Sequence, residues 1–452
     1  MDKRQQKEHT RMKPEAHLGL SSGVGLTIGS MIGAGVFVSA GYMAESLSAI
    51  WILLAWIVGG LFAACGAVAY GEISRLIPRS GGEYRYLSAL IHPAAGYLAG
   101  WASFLFGMCA PLAANALGAA AFVQVLGIDL DHRVIAAALV LLPTAAHAFN
   151  HRTSRWFQDS LAVTKILLVL AFAVVGMTLG TNQWPGWTPP QVGEFGLSTF
   201  MTSLFFVGFA YSGWNSAIYA SSEFRQPKRD VPRSMVIGLA LVAALYLAVN
   251  WVFVANLLPS EAAVVTENRS VTLGHLIAVN LLGAGGGRIF SIVIVLAFLS
   301  AISSMTMIGP RIYAEMAEDG YLPKVFGYRL GRPPVGSVLL QGSLAVGLIC
   351  IQSLRDVLIN ASAILILFTA LACAGLIRSR FTLALRERHG TPRTVAVVCA
   401  AIYALISAWM LYFGFKSQPS LSVWLAVASV LALGSYSLVR QHQPSTPKNP
   451  EE

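Results

Sequence analysis

The chain has 452 residues, of which 56% are hydrophobic and only 12% charged. A soluble domain carries about 25% charged residues, so this composition excludes a water-soluble enzyme or binding module and requires an integral membrane protein. The net charge of +10 does not form a basic face for nucleic acid, because its distribution follows the membrane.

The polar stretch from Met1 to Lys13 precedes an apolar stretch already long enough to span a bilayer. An uncleaved first helix with a cytoplasmic N-terminus is expected. Apolar stretches of about 20 residues, the length of one crossing, fall near 18–42, 48–72, 90–126, 132–149, 157–180, 197–222, 234–258, 288–316, 335–353, 357–377, 394–415 and 420–439. A shorter stretch at 271–284 is too short to cross and is expected to lie on the outer face. The pattern predicts an all-α membrane protein of 12 transmembrane helices.

Of the 31 Lys and Arg, 25 fall in one set of alternating segments and 5 in the other, with Lys165 inside a span. The richer set is cytoplasmic by the positive-inside rule, which places both termini inside a cell membrane. The five cysteines (Cys65, Cys109, Cys350, Cys373 and Cys399) all lie within apolar runs. No structural disulfide and no disulfide-linked subunit is expected, and each thiol reads as a small buried apolar group.

Two spans are interrupted by glycine at matching places. The first carries Gly29-Ser-Met-Ile-Gly-Ala-Gly35 and the sixth Gly208-Phe-Ala-Tyr-Ser-Gly-Trp-Asn215. A lipid-exposed helix keeps its backbone paired, so it unwinds only where protein or a water-filled cavity receives the freed groups. Paired breaks in two chain halves point to a substrate site near the membrane midplane. Spans one and six cross in opposite directions, so spans 1–5 and 6–10 read as inverted copies. The expected organisation is a segment at 1–17, a core at 18–392 with repeats at about 18–180 and 197–377, two further helices within 393–440, and a tail at 441–452.

At the first break, Gly29, Gly33 and Gly35 free backbone N–H groups at the start of a half-helix, which suits a carboxylate. The same spacing also serves close helix packing. At the second, unwinding around Phe209, Ala210, Tyr211 and Ser212 exposes carbonyl oxygens that suit an ammonium group. Phe209 is also a candidate gate over the ligand. Together the breaks offer complementary poles for a zwitterion.

Lys165 lies about 13 Å into its helix, near the middle of a core about 30 Å thick. A cation there costs at least about 2.5–3.5 kcal/mol to insert and marks a pathway or coupling site. Ser303 and Ser304 on span eight are candidate partners for Lys165 or for exposed backbone, against the ordinary reading of serines bonding their own helix. Asn115 on span three either touches a substrate side chain or pairs helices. Glu72, Asp159, Glu223, Arg311 and Glu315 sit at cytoplasmic helix ends, as solvated charges or as a latch. The nine histidines show no metal-ligand spacing, and no nucleophile–base set or phosphate loop is present, so neither a cofactor nor enzymatic chemistry is expected.

These strings resemble the amino acid–polyamine–organocation superfamily, most of all its L-type amino-acid transporter branch and bacterial relatives. The resemblance rests on Gly29-Ser-Met-Ile-Gly-Ala-Gly-Val-Phe37, Pro78-Arg-Ser-Gly-Gly-Glu-Tyr84, Gln158-Asp-Ser-Leu-Ala-Val-Thr-Lys165, Phe209-Ala-Tyr-Ser-Gly-Trp-Asn215, Pro227-Lys-Arg-Asp-Val-Pro232 and Gly320-Tyr-Leu-Pro323, in family order over about 18–400. It implies a LeuT-type fold of 5+5 inverted repeats, with helices 1 and 6 unwound and two C-terminal helices added. It implies that the substrate carboxylate meets backbone at Met31, Ala34 and Gly35, and the amine meets carbonyls at Phe209, Ala210 and Ser212. It further implies that Lys165 replaces a sodium ion between helices one, five and eight. Many relatives carry serine where Ala34 stands. Mammalian members bond an ancillary glycoprotein through a cysteine between spans three and four, and the loop at 126–133 has none.

The expected function is sodium-independent transport of neutral amino acids by alternating access, as exchanger or proton symporter. No intramembrane acid faces a cationic side chain, and Ala361 to Ala370 is mostly aliphatic. The alternatives are a cationic amino-acid or polyamine carrier and, from another class, a membrane nutrient sensor or receptor, although neither tail is long enough for a signalling domain. A membrane-embedded enzyme lacks its His, Asp or Glu cluster.

Overall fold

The computed structural model describes residues 18–149, 154–181, 183–186, 196–258, 272–318, 320–327 and 334–418, with residue 261 and scattered positions between 422 and 436. No strand forms among them, and one isolated backbone bridge joins Leu18 to Phe224. The twelfth expected span lies largely outside the described residues. Six described helices are long and apolar enough to cross a membrane, or seven if one bent pair counts as a single span.

That bent pair is the first span. Helix α1 (Leu20–Met31) and α2 (Ala34–Ala44) meet at 40° across two extended residues, Ile32 and Gly33. Helix α3 (Ala49–Leu76) is a continuous apolar rod that ends just before Pro78, whose missing N–H cannot continue it. A short helix, α4 (Glu83–Leu90), leads into the third span. This span is α5 (Pro93–Phe104) and α6 (Ala110–Val125), joined by a π-turn at Leu105–Cys109. Pro111 is the second residue after that turn. A proline lacks the donor for its i−4 carbonyl and its ring crowds it, which favours a bulge there.

Helices α7 (His132–Phe149) and α8 (Ser154–Leu179) follow. Next comes α9 (Leu197–Tyr211), which gives way to a 3-10 segment at Ser216–Glu223. The interruption occupies residues 212–215, so Gly208, read from sequence as the start of the break, remains helical. Its missing side chain admits Ser362 instead: a Cβ there would meet Ser362 Oγ at 2.8 Å.

Helix α10 (Pro227–Ala255) follows, then α11 (Leu273–Glu318), which kinks at Gly283 with φ +72. The kink separates a short leading piece from the crossing helix, in agreement with a stretch too short to span at 271–284. Helices α12 (Val335–Ile351), α13 (Leu354–Phe381), α14 (Leu383–His389) and α15 (Thr394–Ser417) complete the described fold.

The two halves of the first span differ in burial. All eleven residues of α2 are buried, whereas α1 buries only Gly23, Thr27 and Met31. Helix α2 packs against α9 and α11, while α1 leans chiefly on α10. No side chain or backbone stands within contact distance of where a Cβ on Gly25 or Gly29 would sit. One face of α1 therefore borders open space.

Candidate functional site

The first break leaves the last carbonyls of α1 and the first amides of α2 without helical partners. Two side chains take the carbonyls. The Lys165 ammonium, from α8, donates to Gly29 O, and to Ile32 O at 3.0 Å. The Tyr246 hydroxyl, from α10, donates to Met31 O at 2.7 Å. Lys165 is 2% exposed, and its cationic head is met by the negative end of a helix rather than by a carboxylate. The Met31 carbonyl, within the segment expected to meet substrate, is occupied by the protein itself.

Asn115 supplies the third clamp. Its Oδ1 accepts from the Ala34 amide at 2.9 Å, and its own amide donates to Pro111 O at 2.7 Å. Its contacts among the described residues make it a cap on the half-helix. A Cβ on Gly33 would meet Asn115 Oδ1 at 3.2 Å, so glycine there allows the cap to approach. With Ala34 capped, the amides of Gly33, Gly35 and Val36 are the other donors that the helix geometry leaves at this positive pole.

The second break faces it. A Cβ on Gly35 would strike Ala210, whose Cβ is 2.7 Å from that point, so the start of α2 and the end of α9 touch here. Gly213 has φ +96, and a Cβ on it would lie 2.7 Å from Ser30 O. Glycine meets both demands: a positive φ and a close approach of two backbones. The Ser212 amide and hydroxyl both donate to Phe209 O, at 3.0 and 2.6 Å. Phe209 O is thereby engaged locally, while Ala210 and Tyr211 contribute the next carbonyls at the negative end of α9.

Phe209 is 5% exposed and Ser212 half-buried. Ser303 is buried and meets His147 Nε2 at 3.0 Å. Ser304 is half-buried. The hydrogen bonds of Lys165 among the described residues run to the first break and not to these serines.

At the far end of α2, Arg355 forms an ion pair with Glu45 and lies 4.8 Å from the Tyr42 ring centre. Tyr42 stacks on Phe206 at 5.4 Å. These four residues lock the far end of α2 to α9 and α13. Sequence reading missed this lock, and also Tyr246, because neither belongs to a glycine-marked string. A lone tyrosine in the apolar run of span seven is the signal that marks Tyr246. At the opposite side Glu72 is 4% exposed and held by Arg75 at 2.7 Å and by the Arg393 amide at 2.7 Å, a buried tie from α3 to α15 rather than a solvated charge. The side chains of Asp159, Arg311 and Glu315 lie outside the described residues.

The sequence profile of a family described as "Amino acid permease" matches residues 18–435. The large neutral amino acids transporter small subunit 2 of Oryctolagus cuniculus is 28% identical, over 94% of this chain and 81% of its own length. The b(0,+)-type amino acid transporter 1 of Homo sapiens is 27% identical, over 92% of this chain and 86% of its own length. The Asc-type amino acid transporter 1 of Mus musculus is 26% identical, over 91% and 78% respectively. These relatives are transporters, not enzymes.

Proposed function

Because the chain belongs to the amino acid permease family, within the amino acid–polyamine–organocation superfamily, we propose that it is a sodium-independent secondary transporter of neutral amino acids. It works by alternating access, as an exchanger or a proton symporter. The observation that carries this reading is the contact of Gly35 with Ala210, which brings the positive end of α2 against the negative end of α9. An α-carboxylate fits the amides of Gly33 and Gly35, and an α-ammonium fits the carbonyls of Ala210 and Tyr211.

The names of the relatives support amino acids as the substrate class. Along residues 361–370 of α13 the side chains are apolar apart from Ser362 and Thr369, which favours a neutral substrate side chain. Lys165 holds the broken end of α1 with a fixed charge, which supports transport without a sodium ion. With both termini in the cytoplasm, the open face of α1 looks inward and the Glu45–Arg355 lock closes the outside. The chain then stands in an inward-facing arrangement. The loop at 126–133 has no cysteine for a disulfide-linked subunit, which favours a free-standing transporter.

A thermal-shift screen of the purified protein tests the ligand class. Alanine, leucine and similar amino acids should stabilise it, whereas their amides and decarboxylated amines should not. Each analogue leaves one pole unpaired, at a cost of about 1–3 kcal/mol. Stabilisation by putrescine or agmatine equal to that by alanine would contradict the reading.

A further inference from the structure

Glu83 is a carboxyl that the transport site does not use. It is the first residue of α4, just after the loop at 78–82 between two spans, where Gly81 and Gly82 have φ +114 and +57. The Gly82 backbone lies against the Tyr219 ring, and a Cβ there would fall 2.7 Å from Cδ1. These two glycines turn the chain back and drive Glu83 into the protein, where it is 1% exposed.

The carboxyl joins five elements. Its Oε1 accepts from the Tyr70 hydroxyl of α3 at 3.1 Å, from Asn215 Nδ2 at 3.3 Å and from Thr369 Oγ1 of α13 at 3.4 Å. Its Oε2 accepts from Ser103 Oγ of α5 at 2.8 Å. Asn215 immediately precedes the 3-10 segment, and two further contacts hold that segment to the same loop. Tyr219 covers Gly82, and Ser222 meets Ser80, with hydroxyls 2.7 Å apart. Leu18, at the start of the first span, bonds to Glu223 and Arg225 just beyond.

No cation balances the carboxyl among the described residues. The titratable groups facing it are Tyr70 of α3, Tyr86 of its own helix, Tyr219 of the 3-10 segment, Cys373 of α13 and Tyr403 of α15, all uncharged near neutral pH. The neighbouring Arg85 places its guanidinium 5.1 Å from the Tyr84 ring centre. Burial pushes the Glu83 carboxyl above its ordinary range, against hydrogen bonds that pull it down.

We propose that Glu83 is a proton-binding site whose ionisation controls the docking of the 3-10 segment, and with it the inner end of the second broken helix. The three hydroxyls serve either state, since each can donate to a carboxylate or accept from a carboxylic acid. The neutral acid is therefore accommodated in the docked arrangement. Loss of the proton leaves a buried anion without a counter-charge. Lifting Asn215 and Tyr219 away admits water to that anion. Docking is thus strongest at low pH and weakens as pH rises through the raised pKa of Glu83. The inference rests on the transporter reading for the meaning of this movement, while the test does not depend on transport.

Hydrogen exchange of peptides covering residues 213–224, in the full chain in lipid nanodiscs from pH 5 to pH 9, reads the docking directly. After correction for intrinsic exchange, wild-type protection should fall at least tenfold with rising pH, and Glu83→Gln should stay protected throughout. Tyr70→Phe, which removes one donor to the anion, should move the wild-type midpoint to higher pH. A flat wild-type profile would overturn the proposal even if Glu83→Gln fails to fold. So would an undiminished pH response in Glu83→Gln. Failure of the transporter reading would look different: no amino-acid uptake, with this pH response intact.

Discussion

The Lys165 ammonium binds the carbonyls of Gly29 and Ile32, so one side chain of α8 holds the end of α1 and the first residue of the break. Two carbonyl oxygens at a helix end form a site for a small cation, and here the cation is covalently part of the chain. Lys165→Ala removes charge-assisted bonds worth about 1.5–3 kcal/mol each. Turnover should drop more than tenfold and the melting temperature by several degrees, measured by uptake and by thermal unfolding of the same preparation.

Asn115 caps the Ala34 amide, in the pole assigned to the substrate carboxylate. Asn115→Asp should keep the cap and add a negative charge beside that pole. Substrate affinity should fall at least tenfold at pH 7, and thermal stability should fall as well, because the buried carboxylate loses the bond to Pro111 O and gains no counter-charge. Equilibrium binding of a radiolabelled amino acid checks this, and unchanged affinity would move the carboxylate away from α2.

Gly35 touches Ala210, so Gly35→Val has no room for its branches unless α2 and α9 separate. Binding should be lost with expression retained. Size-exclusion profiles and ligand-induced thermal shifts of the variant distinguish loss of the site from loss of the fold.

The Glu45–Arg355 pair is the proposed outer lock. Both side chains are partly exposed, so the pair contributes about 1 kcal/mol or less. Arg355→Ala should shift the conformational balance outward by a few-fold. Reaction of a cysteine placed at Ser39 with an external thiol reagent should accelerate accordingly. The exchanged pair Glu45→Arg with Arg355→Glu should restore most of the wild-type rate.

Much of this site was legible in the chain, because glycine interruptions in two otherwise apolar spans have few physical explanations. The lone mid-span lysine was legible for the same reason. The position of the second break was not: Gly208 remains helical because its freedom serves packing against Ser362, while Gly213 carries the positive φ. Nor were the partners of each broken end. Tyr246 and Asn115 reach the first break across 215 and 81 residues of sequence, and no local pattern encodes such pairings. Glu83 was hidden differently, since a carboxylate in a charged loop reads as solvated until the turn at Gly81 and Gly82 is seen to bury it.

The central claim is that Lys165 and two facing helix ends make a sodium-independent carrier for a neutral zwitterion. Uptake of radiolabelled neutral amino acids into proteoliposomes, with sodium or choline outside and with or without unlabelled amino acid inside, measures it most directly. The account predicts saturable uptake that is identical in sodium and choline. Stimulation by internal amino acid would identify exchange, and stimulation by an inward proton gradient would identify symport. Uptake that requires sodium, or no uptake of any neutral amino acid by protein that binds lipid and unfolds cooperatively, would contradict it.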